Sequence, residues 1–222
     1  MSKISTQVIH NLKKDKGSFV SFGLIVLFTA FMLNLALVLA FQVDEAYDKK
    51  FDALNAAAVN LYIPEMQNDA SLSARLNAID GVRMVEARQA VYAEAVVKDF
   101  RGTDFDMNTV FYNMEDERSI NRLEMRQVAD DPQEPAIFLP MYVANFGEFA
   151  VGDQIVYQVN GSENAFTVAG VAEEMQYGNY GKGLMGAWLS GSAYRDFRAA
   201  NEMQTIVEYA LVADKSASLE QI

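Results

Sequence analysis

The chain reads as an α+β protein: one transmembrane helix, then an extracytoplasmic split βαβ half-module with a mostly-β lobe inserted into it. Three observations predict this. A run of 23 residues without a charge, Phe19 to Phe41, stands near the N-terminus. Beyond it, segments that alternate apolar and polar side chains outnumber those with helical spacing. The order strand, polar break, amphipathic helix also occurs twice, after residue 58 and again at the end of the chain.

The apolar run, FVSFGLIVLFTAFMLNLALVLAF, spans about 34 Å as a helix, against a bilayer hydrocarbon core of about 30 Å. Lys3, Lys13, Lys14 and Lys16 precede it, and Asp44, Glu45 and Asp48 follow it. The positive-inside rule then puts residues 1–18 in the cytoplasm and everything after the span (19–41) outside an inner, or cell, membrane. A cleaved signal peptide ending at Val38-Leu39-Ala40 competes, but its apolar region would run to roughly 7–15 residues, so the length favours a retained anchor. In the leader, Ile4, Val8, Ile9 and Leu12 recur at helical spacing, which suits a helix on the inner membrane surface or docked on a cytoplasmic partner. A frayed basic flank is the alternative. His10, the one histidine, has no companion ligands.

The chain has 222 residues, 51% of them apolar, enough to bury a core, and a net charge of -12. Apart from the basic leader it is more acidic still, which argues against nucleic acid as a partner. Without cysteines there can be no disulfides or thiolate metal site, and with one histidine no hydrolytic constellation can be completed. No enzymatic activity and no cofactor are expected.

Each element follows from local pattern. Val43, Tyr47, Phe51 and Leu54, with the pair Glu45 and Lys49, predict a stalk helix over 42–57. Val59, Leu61 and Ile63 alternate in a strand closed by Pro64. Leu72, Leu76 and Ile79 share one face of a short helix that stops at Gly81. Arg83 to Gln89, Tyr92 to Val97 and Asn108 to Asn113 read as strands, and DERSINRLEM as a short helix. AIFLP is a strand and MYVANFGEFAVGD a helix running into a turn. DQIVYQV and AFTVAGVAEE are strands joined across Asn160-Gly161, a hairpin signal. YGNYGKGLMGAWL is glycine-rich and reads as a mobile loop, SGSAYRDFRAANE as a helix, and TIVEYALVA as a strand with Val207, Tyr209 and Leu211 on one face.

At the end, Ser216 stands where a helix N-cap would, and Ala217-Ser218-Leu219 echoes Ala70-Ser71-Leu72. Two strand–helix units around a long insertion suggest a ferredoxin-like split βαβ module made of 58–99 and 205–222, with the β-rich lobe at 100–204. Ala58 to Ile63 and Val207 to Ala213 are then expected to pair in parallel, with Val59, Leu61, Tyr209 and Leu211 on the helix-covered face. Arg83 to Gln89 should flank the later strand, and the edge beside Ala58 to Ile63 should stay open. The second unit reads as unfinished, an N-terminal fragment whose last helix continues.

The run IFLPMYVANFGEFAVGDQIVYQVNGSENAFTVAGVAEEM, Ile137 to Met175, resembles the extracellular domain of FtsX-like ABC transporter permeases, of the macrolide-exporter and lipoprotein-releasing type. The pieces that carry the resemblance are Gly152-Asp153-Gln154-Ile155, the Gly161 turn, and Phe166 to Val171, together with NLKKDKGSFVSFG leading into the apolar run. The resemblance implies a permease subunit, a separate cytoplasmic ATP-binding subunit, a permease homo- or heterodimer in the lipid bilayer, and three further membrane helices. Two other readings stay open: a single-pass anchored extracellular sensor or binding module, and an exported binding protein.

Asp104, Asp106, Asn108 and Glu115 match four positions of an EF-hand loop, but Thr109 stands where the loop needs glycine, so no calcium site is expected. Gly181-Lys182-Gly183 lacks the spacing of a phosphate loop. Glu115-Asp116-Glu117 and Asp130-Asp131 read as solvated surface. The candidate partner contacts are Tyr177, Tyr180, Leu184, Met185 and Trp188, taken as exposed on the glycine-rich loop.

Overall fold

The computed structural model describes residues 16–177, 183–201 and 204–214, in two compact units, Met1–Lys50 and Phe51–Ile222. The elements are helix α1 (Lys16–Ala53), strand β1 (Val59–Pro64), a 3-10 turn (Glu65–Gln67), helix α2 (Leu72–Asn77), and strands β2 (Val82–Phe100), β3 (Thr103–Asn113), β4 (Glu124–Val128) and β5 (Ala136–Pro140). Helix α3 (Met141–Gly147), strands β6 (Gln154–Val159), β7 (Ser162–Glu173) and β8 (Met185–Leu189), helix α4 (Gly191–Ala200) and strand β9 (Thr205–Ala213) complete them.

From Val20 onward α1 is long and apolar enough to cross a membrane, and it is the one such helix among the described residues. Its large apolar side chains are exposed, Phe41 at 72%. Thr29 donates its hydroxyl proton to the Ile25 carbonyl at 2.8 Å, so this polar group inside the apolar run has a partner on its own helix. Lys49 and Glu45 form the expected pair at 2.6 Å. The helix stops where Asn55 adopts a left-handed conformation (φ 47°) and the Ala56 N–H closes on the Phe51 carbonyl.

In the second unit six strands close into a barrel. β2 pairs β3, β3 pairs β8, β8 pairs β5, β5 pairs β7, β7 pairs β6, and β6 returns to β2 through Ala95 opposite Val159. The β3–β8 and β5–β7 pairs are parallel and the others antiparallel. Alternation turns Val91, Ala93, Ala95 and Val97 of β2 into the barrel core. Phe111 lies there edge-on to Tyr157 at 5.1 Å and 4.5 Å from Phe197 of α4. Ser190 caps α4 by accepting from the Ala193 N–H. The β6–β7 hairpin turns through Asn160 (φ 51°) and Gly161 (φ 80°), the two left-handed residues that a tight hairpin needs.

The first half of β2 leaves the barrel and carries a three-stranded leaf, in the order β1-β9-β2. Val59 lies opposite Leu211, and Leu211 opposite Val85. The expected neighbours are therefore found, but β1 and β9 run antiparallel, which corrects the parallel pairing. The reason is topological. Helix α2 joins β1 to β2, which run parallel to one another, and β9 fills the gap between them antiparallel to both. Tyr209 and Leu211 are buried against Leu76 of α2 with Val59 beside them, whereas Leu61 stays 36% exposed. β1 pairs β9 alone and forms the edge.

Several other expectations change. The fold is a six-stranded barrel with a leaf rather than a ferredoxin-like half-module, because β2 runs unbroken through both parts for 19 residues. The two strands expected at Arg83 to Gln89 and Tyr92 to Val97 are halves of that one strand. DERSINRLEM forms no helix: Glu86 accepts the Ser119 and Ile120 N–H groups and Arg88 donates to the Ile120 carbonyl, which fixes this segment as an irregular cover. Asp104, Asp106 and Asn108 lie along β3 at strand spacing, about 6.8 Å between alternate residues, and Asp104 pairs with Lys98. Ser216 to Leu219, Lys13, Lys14, His10 and Gly181-Lys182 lie outside the described residues.

Candidate functional site

The structure moves three of the five expected contact residues inward. Met185 points into the barrel at 1% exposure. Tyr177 and Trp188, both buried, sit on the outer face of the barrel wall beneath a cover. Leu184 is half-buried beside them, and Tyr180 lies outside the described residues. The glycine-rich stretch misled because Gly186 serves packing. A Cβ there would stand 2.4 Å from the Tyr177 ring, so the missing side chain is what admits the tyrosine. Met185 to Leu189 is strand β8 rather than loop, and its alternation buries Met185 and Trp188 on opposite faces.

Around Tyr177 a polar seam joins leaf to barrel wall. The Tyr177 hydroxyl meets those of Tyr62 at 2.8 Å and Tyr112 at 2.5 Å. Gln176 donates to Tyr62 at 2.5 Å, to Tyr177 at 3.1 Å, and to Glu208. Tyr62, Glu208 and Arg88 form one row across the leaf, since Glu208 of β9 lies opposite both others. Glu208, fully buried, accepts from Arg88 at 3.4 Å, and Arg88 also donates to Glu86 at 2.7 Å. Asn121 closes the far end, bonding Asn60 and Gln176. Burial first, and the Glu208 charge second, push the Tyr62 phenol up to about 12 and raise Tyr112 in the same direction; burial first, then Tyr112 and Glu208, raise Tyr177. Arg118 stacks over Tyr112 at 4.9 Å and Trp188 at 5.6 Å, and burial lowers its guanidinium to about 10. These groups lack the pairing of a nucleophile with a base. The seam locks two parts of one sheet.

Open space lies on the other side of the leaf. A cleft of about 620 Å³ is lined by Glu65 and Met66 of the 3-10 turn, by Tyr194, Arg195, Arg198 and Ala199 of α4, and by Thr205. Arg198 pairs with Glu65 at 3.1 Å, and Gln89 donates to Glu65 at 2.6 Å. Hydrogen bonds, with Thr205 the largest contributor and Arg198 next, hold the Glu65 carboxyl below its usual range. The Tyr194 hydroxyl is buried without a hydrogen-bond partner, and burial pushes it up to about 12. Pattern reading missed this cleft, because the turn and the helix are far apart in the chain. The one local signal was helical spacing, which sets Tyr194 beside Arg198 and Arg195 beside Ala199. Among the described residues no three His, Cys, Asp or Glu side chains converge as a metal site would require.

No protein-family model matches the chain, and no curated protein matches it. Among solved structures it is similar to a crystallised domain of a protein described as a permease, from Porphyromonas gingivalis. That likeness has 15% identity, covers 66% of this chain and 68% of the other, and has a TM-score of 0.36.

Proposed function

We propose that the chain is a membrane-anchored permease component of FtsX-like ABC transporter type, whose outer domain grips a substrate or partner while a separate ATP-binding subunit works from the cytoplasm. The observation that carries the reading is the pairing of α1, uncharged over 23 residues between basic and acidic flanks, with a folded β-rich unit after it. The order of elements adds support. Strand β5, helix α3, a turn at Gly152 (φ 97°), the β6–β7 hairpin and the Gly161 turn follow in the sequence quoted for the resemblance. In that turn Asp153 accepts the Ala150 N–H at 2.8 Å, the capping role its position suggests. On this reading the protein has no catalysis of its own, sits in the inner membrane with its N-terminus inside, and pairs with a second permease chain.

Two measurements test it. Single cysteines at Ser2 and at Ser162 are exposed on intact cells to an impermeant thiol reagent; Ser162→Cys should label and Ser2→Cys should not. A photo-crosslinking residue at Leu12 should then yield a discrete adduct containing an ATP-binding subunit. Labelling at position 2 but not 162 overturns the orientation, and absence of that adduct overturns the transporter assignment. The latter outcome favours the anchored binding module, a reading for which the 620 Å³ cleft speaks.

A further inference from the structure

We propose that the cleft between the 3-10 turn and α4 is a docking place for a partner peptide that presents a carboxylate beside an apolar side chain. The proposal deepens the permease reading by giving the chemistry of what the outer domain grips, and it rests on that reading only for its biological setting.

The apolar half of the argument starts at Met66. It is 82% exposed, more than any other large apolar side chain among the described residues, α1 included. A lone exposed methionine needs no explanation. This one stands at the mouth of a cleft whose floor includes Tyr194, a residue 6% exposed. A flexible thioether beside an aromatic ring is a wall that adapts to an incoming aliphatic or aromatic side chain. A volume of about 620 Å³ is in the range of sites that enclose several side chains or a drug-sized ligand.

The polar half concerns which charges remain available. Glu65 and Arg198 face the cleft but are committed to one another, and Glu65 is held further by Gln89 and Thr205. Arg195, three residues before Arg198 on the same helix, makes no hydrogen bond or ion pair among the described residues and is exposed. The cleft therefore offers one uncommitted positive charge on a domain otherwise rich in acid. One guanidinium matches one carboxylate, by a bidentate contact. A dianionic phosphate would bring two charges to a single available cation, which selects against it. Tyr194 lines the floor of the cleft, and its hydroxyl is buried without a hydrogen-bond partner among the described residues.

The acidic body repels an acidic peptide at long range, so this contact gains little from electrostatic steering. Its selectivity must come from the bidentate pair and the apolar wall acting together.

The probe is a phage-displayed random heptapeptide library, selected on the full chain in detergent micelles and on empty micelles as control. Selection should enrich peptides with Asp or Glu next to Leu, Met or Phe. Enriched peptides, synthesised and measured by fluorescence anisotropy, should bind about tenfold or more weakly to Arg195→Glu, the scale of a lost charge-assisted contact. They should weaken similarly with Met66→Ser. Both residues are exposed, so the variants should keep the parent's circular dichroism and melting curve. Peptides lacking an acid, peptides that bind Arg195→Glu as tightly as the parent, or no enrichment over empty micelles would each overturn the proposal. Loss with Arg195→Glu but none with Met66→Ser overturns its apolar half. The selection needs neither ATPase nor membrane orientation, so it can fail while the permease reading stands, and the reverse.

Discussion

Phe111 and Tyr112 are neighbours on β3 and face two different interiors. Phe111 points into the barrel, where it meets the rings of Tyr157 and Phe197. Tyr112 points the other way, into the seam, where its hydroxyl meets Tyr177 and its ring stacks on Trp188 at 6.3 Å. The barrel is filled by shape and apolar area, a kind of packing that tolerates some volume-conserving exchange. The seam's tyrosine hydroxyls, Gln176 and Glu208 find named partners, because a buried polar atom left unpaired costs more than a good hydrogen bond gains. Trp188 Nε1 and Arg118 Nε and Nη2 beside them have none among the described residues. The two interiors of one sheet thus do different work. The barrel supplies stability, and the seam specifies where the leaf lies against the wall.

The largest effect belongs to the barrel. Phe111→Ala removes a fully buried ring and should cost about 3 to 5 kcal/mol, read from urea unfolding of the detergent-solubilised chain. A cost below about 1 kcal/mol would mean the barrel is loosely filled and the contrast false. In the seam, Glu208→Ala should cost about 2 to 3 kcal/mol. Stripping a buried ion of all partners costs more, but Arg88 retains Glu86 and the Ile120 carbonyl. Gly186→Ala drives a methyl group into the Tyr177 ring and should cost about 1 to 3 kcal/mol as an overpacking change. Trp188 is the sole tryptophan and reports the seam directly. Because β2 belongs to leaf and barrel alike, its emission should change at the same urea concentration as the far-ultraviolet dichroism. An earlier emission change would make the leaf a separate unit.

How much of this was legible depended on the range of each interaction. The Asn160-Gly161 hairpin, the apolar helix α1, the helix α4 and the buried face of β9, with Val207, Tyr209 and Leu211, are local matters, and local pattern found them. Pairing across the barrel is not local. Nothing in the alternation of β3 announces that Asn113 will lie opposite Leu189 in parallel, or that β6 will close on β2. The seam failed for the same reason: Tyr62, Tyr112 and Tyr177 come from three separate stretches and share only their burial. Gly186 failed differently. Glycine as hinge and glycine as space for a ring look alike in sequence, and here the second use converted an expected loop into a strand. In the cleft, Tyr194 and Arg198 were visible as helix neighbours, but Glu65 and Met66 could be placed opposite them only by the fold.

Alkali should act on the seam with a definite sign. The Tyr62 phenol is raised to about 12, and Tyr112 and Tyr177 are raised in the same direction. Above the unfolded value of about 10 the unfolded chain loses these protons first, so stability falls as pH rises from about 10 through the folded values. Arg118 opposes this: its folded value, about 10, lies below the unfolded one, so the unfolded chain holds that proton longer and stability gains over the same window. Three seam phenols against one guanidinium make the net change a loss. The check is urea midpoint against pH from 9 to 12, and Tyr62→Phe should flatten the decline. A midpoint that rises through this window would reverse the assignment.

The smallest effect discriminates best. Tyr112→Phe removes one hydroxyl and keeps the ring on Trp188 and under Arg118. The Tyr177 hydroxyl is not orphaned, since Tyr62 and Gln176 still reach it, so the cost should be about 1 kcal/mol or less. Its size says little, but its coupling says more. If the three hydroxyls act as one network, Tyr62→Phe and Tyr112→Phe together should leave Tyr177 with Gln176 alone. The double variant should then lose about 0.5 kcal/mol or more beyond the sum of the singles. The matching control pairs Tyr112→Phe with Phe111→Leu, neighbours in sequence on opposite faces of β3, whose costs should add to within about 0.5 kcal/mol. Additivity in the first pair would reduce the seam to independent contacts. Coupling in the second would mean that the two interiors communicate through the strand, and the division of labour between them would have to be withdrawn.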